Sequence, residues 1–542
     1  MGFAALTVVA TWPLVRHAGS SLPADLGDPL FVTWVMGWVA RHLTALVSGD
    51  LGAFARMWDA PIFAPETQTL AYSEHFTGQT VLALPVWLAG GGPIAAYNAA
   101  FLASYWLSAV GAFVLVRALT GHTAAALVAG TIFGFNAYRV LSVSHLHTLS
   151  AQWVPFVLAG LLVFARSGSR WALAGATVAY VATAWSSLYH LAYFSPCIGL
   201  FALIVLARHD AWRRPASGLA LAIAGIAIVL LVVPFLRPYM QVQQALGITR
   251  PRSEVEMMSL PLDTYLNSGW QLVPMLTLAA VALLTWRPAR SAAPWVVPFF
   301  AGCALLAFWL SLGPMPRWRG EPLGVPGLYA LLLDYAPGFS GLRVASRFAM
   351  VLMLALSVLA GMAVAAVAVS RRRLAAAMAV AAMAIQVGLF TSFPLARDTP
   401  MGVGPLQPVP PSLDPAGPVA PIYQRLRAAT DPTAVIVELP FGEPAYELRY
   451  MYAGLAHQRR LLNGYSGVFP PSYRARIVPL RAPWNNAVAA WQALGPATHA
   501  VVHGDAWEPA QSDAVVRWLA DGGARLLASV GSDSLWQLPP RP

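Results

Sequence analysis

From Arg343 to Arg373 the chain reads RVASRFAMVLMLALSVLAGMAVAAVAVSRRR. Phe348 to Ser370 contains no ionisable side chain, and it exceeds the roughly 20 apolar residues that a helix needs to cross a bilayer core. Three successive arginines close the run. At its other end Arg343 and Arg347 are four residues apart, a spacing that puts them on one face if the segment is helical. The stretch predicts a membrane-spanning helix with charge at both ends.

Similar runs cover 94–116, 122–137, 150–165, 171–185, 190–207, 216–236, 270–286, 294–312 and 374–392, after a first apolar stretch from Gly2 to Val15. Together they predict about eleven spans. Gly2 to Val15 has no basic n-region and no small-residue cleavage site, so it is not a cleavable signal peptide. It is also short for a span, which leaves an incomplete N-terminus or a tilted, protein-packed helix. Composition agrees: of 542 residues 58% are hydrophobic and 11% charged, where a soluble chain carries roughly 25% charged residues. Cys197 and Cys303 both fall inside apolar runs, where cysteine behaves as a small hydrophobe, and no disulfide framework or zinc motif follows.

The net charge of +11 raises the question of nucleic acid, and its distribution answers it. Five short connectors (117–121, 166–170, 208–214, 287–290, 371–373) hold 11 arginines against the single acid Asp210. The longer connectors 16–76, 138–149, 237–269 and 313–347 balance 11 arginines with 11 acids, and the chain from 395 onward has 12 and 11. Arginine concentrated in short membrane loops marks the cytoplasmic side and is not a nucleic-acid footprint. The run 77–90 decides the parity. It is too short to span and reads as an interfacial or re-entrant helix; on that reading all five arginine-rich connectors face the cytoplasm, and the tail and the longer loops face out.

The expected fold is a polytopic α-helical membrane protein with a small C-terminal α/β domain. Residues 1–394 form the membrane domain with a long first periplasmic loop, 16–76. A Pro/Gly-rich linker covers 395–421. In 422–542 strand-like runs (434–439, 460–463, 499–503, 525–530) alternate with helix-like ones (443–456, 486–494, 508–520), the pattern of a periplasmic α/β domain. The expected location is the bacterial inner membrane.

The spans are nearly free of ionisable groups, so candidate chemistry lies in the outer loops. Asp28 precedes Pro29, an N-cap and N1 pair for a juxtamembrane helix. A carboxylate fixed there is also placed to take a proton from an attacking hydroxyl, and both readings can hold. Glu74 and His75 follow Tyr72 and Ser73. They either cap the helix at 77 or serve proton transfer or a divalent cation; their spacing identifies no particular metal. In the second outer loop His145 and His147 would point the same way in an extended stretch, and Arg139 adds a fixed positive charge for phosphate contact. A histidine at a membrane interface is equally a polar anchor. Arg250 and Arg252 stand in the third loop, Arg343 and Arg347 at the end of the fourth. Those last two either snorkel toward headgroups or clamp a lipid-linked phosphate.

Tyr72-Ser73-Glu74-His75, Leu342-Arg343-Val344-Ala345-Ser346-Arg347-Phe348 and Asn463-Gly464-Tyr465-Ser466-Gly467, with the long first loop and the tail, resemble the C-type (GT-C) integral-membrane glycosyltransferases. The resemblance implies a polyprenyl-phosphate-linked sugar donor, a periplasmic acceptor and a site open at the outer membrane surface. It also implies Asp28 as the base and the outer-loop arginines and histidines as the holders of the donor phosphate. Asp28-Pro29 replaces the paired adjacent acids of better-known members. Two other classes fit the topology: a flippase or transporter of a lipid-linked intermediate, against which the charge-free spans argue, and a non-catalytic envelope assembly protein that uses the tail.

Overall fold

The computed structural model describes residues 2–266, 273–286, 293–388 and 413–540. The arginine-rich connector expected at 287–290 and most of the expected linker 395–421 lie outside the described residues. The protein is predominantly helical and multi-pass. Among the described residues seven helical segments are long and apolar enough to cross a membrane: Asp28–Val47, Gly92–Thr120, Thr123–Leu141, Leu146–Ser167, Leu188–Arg208, Pro215–Leu246 and Ala345–Ala368. Other expected spans form shorter helices. Arg170–Ser186 and Arg372–Gly388 have 17 residues each and Val296–Ser311 has 16. The helix in the 77–90 run, Thr77–Leu88, has 12, the length of a non-spanning segment.

The chain divides into two compact units, and the division differs from the boundary expected near 394. One unit is Met1–Val15 with Ala100–Phe393; the other is Arg16–Ala99 with Pro394–Pro542. In the membrane unit the quoted stretch becomes the helix Phe348–Ala368, buried almost throughout. It packs on Thr123–Gly134, Val273–Thr285 and Val296–Ser311. A helix apolar all round belongs inside a bundle, and this one forms the bundle's core.

The second unit joins the first long loop to the tail. Five strands, β1 (Val435–Leu439), β2 (Arg460–Leu461), β3 (His499–His503), β4 (Arg525–Val530) and β5 (Asp533–Gln537), form one mixed sheet in the order β2-β1-β3-β5-β4. β2 and β3 lie parallel to β1, while β5 runs antiparallel to β3 and β4. The β2 edge does not face solvent. Leu461 N–H donates to the Pro61 carbonyl at 2.9 Å, Ala64 N–H to the Leu461 carbonyl at 2.9 Å, and Phe63 N–H to the Asn463 carbonyl at 3.0 Å. Residues 61–64 of the loop thus satisfy the backbone groups that an edge strand leaves open. Asp28–Val47 packs on Pro444–His457 of the tail, on Ala53–Met57 and on Thr77–Leu88, and the Arg41 guanidinium donates to the Leu455 carbonyl. Although this helix is long and apolar enough to span, its apolar side chains are buried largely against the loop and the tail.

Inside the sheet, His503 stands directly opposite Asp533 in the β3–β5 register. Its Nδ1 is 3.1 Å from Asp533 Oδ1 and its Nε2 3.0 Å from Glu438 Oε2. Tyr423 donates to the same Glu438 oxygen at 2.8 Å, and the Tyr450 ring stacks on the imidazole at 5.1 Å. Burial pushes His503 down, but the hydrogen bonds to Asp533 and Glu438 and their charges outweigh it and raise the imidazole to about 9. A folded-state value above the unfolded one supplies stability that is fully present below pH ~6.5 and is lost as pH rises to about 9, on the order of 3 kcal/mol. Thermal unfolding of the full chain in detergent is expected to drop across that window, and His503→Gln to lose the slope at its upper end. An unchanged slope in the variant would break the assignment.

Candidate active site

The expected site residues fall into two sets, one in each unit. In the loop–tail unit Asp28 is the first residue of Asp28–Val47, with Pro29 next. The N-cap itself is Gly27, which makes no side-chain cap bond; its N–H donates to Asp25 Oδ1 at 2.8 Å. The N-cap position thus falls on Gly27, one residue before the Asp28 that the Asp-Pro pair predicts. Its carboxylate sits half-buried in the first turn, where the helix dipole favours a negative charge.

Glu74 is half-buried and His75 is 1% exposed. His75 Nδ1 accepts the Thr77 N–H at 3.1 Å, lies 2.7 Å from the Thr77 hydroxyl, and the ring meets Trp58 edge-on at 5.8 Å. Burial pushes the imidazole down to about 3, so it is neutral at physiological pH and a weak base. His75 thus accepts the first N–H of the helix that starts at Thr77. Among the described residues no three His, Cys, Asp or Glu side chains gather closely enough to hold a metal ion.

In the membrane unit the structure brings most of the expected phosphate contacts together. Arg343 donates to Glu254 Oε1 at 2.8 Å, and Arg250 reaches the same oxygen at 3.4 Å. Arg252 and Arg317 share Glu256 at 3.9 and 3.1 Å. Arg250 N–H also donates to the Ser340 carbonyl at 2.9 Å, tying the connector 237–269 to the connector 313–347. Arg347 is 8% exposed, so it is not snorkelling. It bonds His147 Nε2 and stacks over the Tyr189 ring at 3.9 Å, while the Tyr189 hydroxyl accepts the Arg343 N–H at 3.3 Å. His145 lies beside His147 with ring centroids 5.9 Å apart. Arg250, Arg252, Arg317 and Arg343 thus share two carboxylates, with Arg347 bonded to an imidazole. That excess of positive charge suits a phosphate.

Three expectations are corrected here. Arg343 and Arg347 do not share a helical face, because Arg343 precedes the short 3₁₀ turn Ala345–Arg347 and the long helix begins at Phe348. His145 and His147 are not in an extended stretch, since Leu146–Leu149 is one helical turn. Arg139 is fully buried. Its guanidinium donates to the Phe133 carbonyl at 3.1 Å, the Ser104 carbonyl at 3.4 Å and the Ser108 hydroxyl, and it lies over the Tyr105 ring. Those bonds spend its donors on internal groups, so Arg139 holds the bundle together and drops out of the phosphate set. Sequence reasoning does not single out Tyr189 or Glu254: Glu254 is one of the acids that balance the arginines of 237–269, and Tyr189 carries no signal beyond its place in the first turn of Leu188–Arg208.

No protein-family model matches the sequence, and no curated protein does. Solved structures match its fold. The cryo-EM structure of the arabinofuranosyltransferase AftD from mycobacteria aligns over 100% of this chain and 40% of its own, with a TM-score of 0.60 at 13% identity. A mutant form of the same enzyme gives 0.56 at 15% identity over 100% and 42%. ArnT from Cupriavidus metallidurans aligns at 0.45 and 14% identity over 99% of this chain and 98% of that one. The chain thus shares the fold of the aligned part of AftD. The chain spans about two-fifths of the length of AftD.

Proposed function

We propose that this protein transfers a sugar from a polyprenyl-phosphate-linked donor to a periplasmic acceptor at the outer face of the bacterial inner membrane, with the tail in the periplasm. The observation that carries the reading is the fold shared with an arabinofuranosyltransferase over the whole chain. In the reaction the acceptor hydroxyl oxygen bonds to the anomeric carbon as the bond from that carbon to the phosphate oxygen breaks, with inversion. The hydroxyl proton passes to the Asp28 carboxylate, and the polyprenyl phosphate leaves with the bonding electron pair. In the membrane unit Arg343 and Arg347, with Arg250, Arg252, His145 and His147, are the candidate holders of the lipid-linked phosphate. Glu74 is the second candidate for the proton. A divalent cation is not needed for this balance.

The test uses the purified full chain in proteoliposomes, with a panel of polyprenyl-phosphate-linked sugars and short oligosaccharide acceptors. Protein-dependent release of polyprenyl phosphate together with a lengthened acceptor is the expected result. Movement of the lipid-linked sugar across the bilayer with no covalent product from any donor would replace transfer with transport.

A further inference from the structure

The tail turn Asn463–Gly467 lies against two segments of the first loop that are far apart in sequence. A Cβ on Gly464 would stand 2.7 Å from the Phe63 ring, and one on Gly467 would stand 3.0 Å from the Tyr72 carbonyl oxygen. A side chain at Gly464 would therefore displace the Phe63 ring, and one at Gly467 would push the Tyr72 carbonyl back by a few tenths of an ångström. Between them Tyr465 sets its ring edge-to-face against Phe31 at 5.7 Å, and Phe31 stands three residues on from Asp28 in the same first turn of helix. Gly467 lies close to Tyr72 and Ser73, the residues that lead into Glu74. The turn is itself fixed from below: the Glu447 carboxyl accepts the Gly464 N–H at 2.6 Å and the Asn463 side-chain amide at 3.2 Å.

We infer that Asn463–Gly467 is a positioning element of the Asp28 site, holding the first turn of Asp28–Val47 and the Tyr72–Glu74 segment in fixed relation. The inference rests on the transfer reaction proposed above. A general base acts only within hydrogen-bond reach of the hydroxyl, and a misplacement of about 1 Å costs about 10²-fold in rate. Neither the helix start nor the 72–74 segment is tied to the other by sequence neighbours, and the tail turn contacts both.

The experiment compares Gly467→Ala, Tyr465→Ala and Tyr465→Phe with the wild-type full chain in proteoliposomes, and separately cross-links a Phe31→Cys, Tyr465→Cys double variant with a short bifunctional maleimide. The cross-link is expected to form. In Gly467→Ala and Tyr465→Ala kcat is expected to fall about 10- to 100-fold with the donor KM unchanged, and Tyr465→Phe, which keeps the ring contact, restores it. Unaltered kcat in both alanine-bearing variants, or loss through KM alone, overturns the positioning role, and so does failure of the cross-link. If the double-cysteine variant cross-links and the wild type transfers no sugar, the reaction itself is wrong, an outcome distinct from the other two.

Discussion

Asp28→Asn is expected to lower sugar transfer by about 10²- to 10⁴-fold, the range that a positioned general base contributes, while the chain stays folded. Asparagine keeps the shape of the side chain and loses only its ability to take the proton. The structural cost is small because asparagine serves a helix N-terminus about as well as aspartate does. What the substitution removes is a carboxylate in the favourable field of a helix N-terminus, about 0.3–1 kcal/mol. The loss should lie in kcat and not in the donor KM, since the proton moves only in the chemical step. Asp25→Asn is the matched control. Its side-chain oxygen still accepts the Gly27 N–H, which Asp25 holds at 2.8 Å, so the turn keeps its shape and transfer should stay near the wild-type rate. Release of polyprenyl phosphate measures both. An Asp28→Asn protein that retains more than about a tenth of the wild-type rate would remove Asp28 from the role of base.

The parts of this protein that were legible in the sequence are those set by one-dimensional chemistry. The apolar run before Arg371 became the core helix of the bundle because nothing in it resists burial. Pro29 and the apolar residues after it placed the helix start at Asp28. The parts that were not legible depend on which distant surface a side chain meets. Arg139 reads as an exposed cation in a loop, and only the fold reveals the carbonyls of Phe133 and Ser104 waiting for it. His75 carries the same ambiguity, and only the fold shows it accepting the Thr77 N–H two residues on. Most of all, the pairing of 61–64 with β2 had no signal: a four-residue stretch beside a two-residue strand shows no alternation to read. For that reason the first loop and the tail appeared as separate parts, although they share a unit. A loop that completes the tail's sheet also makes the tail part of the loop's own framework, so a tail deletion removes support from Asp28 as well as the tail.

The same interdependence predicts a large loss of stability when Glu447 is replaced. Its side chain is buried, and it accepts the N–H groups of Gly442 at 2.7 Å and Gly464 at 2.6 Å and the Asn463 amide at 3.2 Å. Glu447→Ala leaves the Gly442 and Gly464 N–H groups without this acceptor, and the Asn463 amide with only the Glu438 carbonyl at 3.0 Å. Each orphaned buried group costs about 1–3 kcal/mol, and because neighbouring losses are not additive the expected total is about 3–5 kcal/mol. For a unit of this size that lowers the midpoint of thermal unfolding by on the order of 10 °C. Glu447→Gln keeps one acceptor oxygen and should lose less. Burial pushes the Glu447 carboxyl up to about 8, against the pull of the backbone donors at Gly442 and Gly464 and the side chains of Asn463 and Tyr473. Because that value lies above the unfolded one, the associated stability is complete below about pH 4.5 and falls as pH rises toward 8. Glu447→Gln should therefore flatten the unfolding profile between about pH 4.5 and 6.5 while leaving the fall from about 6.5 to 9 that belongs to His503. A shift of less than about 2 °C in Glu447→Ala, or a glutamine variant as damaged as the alanine one, would mean that the Asn463–Gly467 turn is held by something other than this carboxyl.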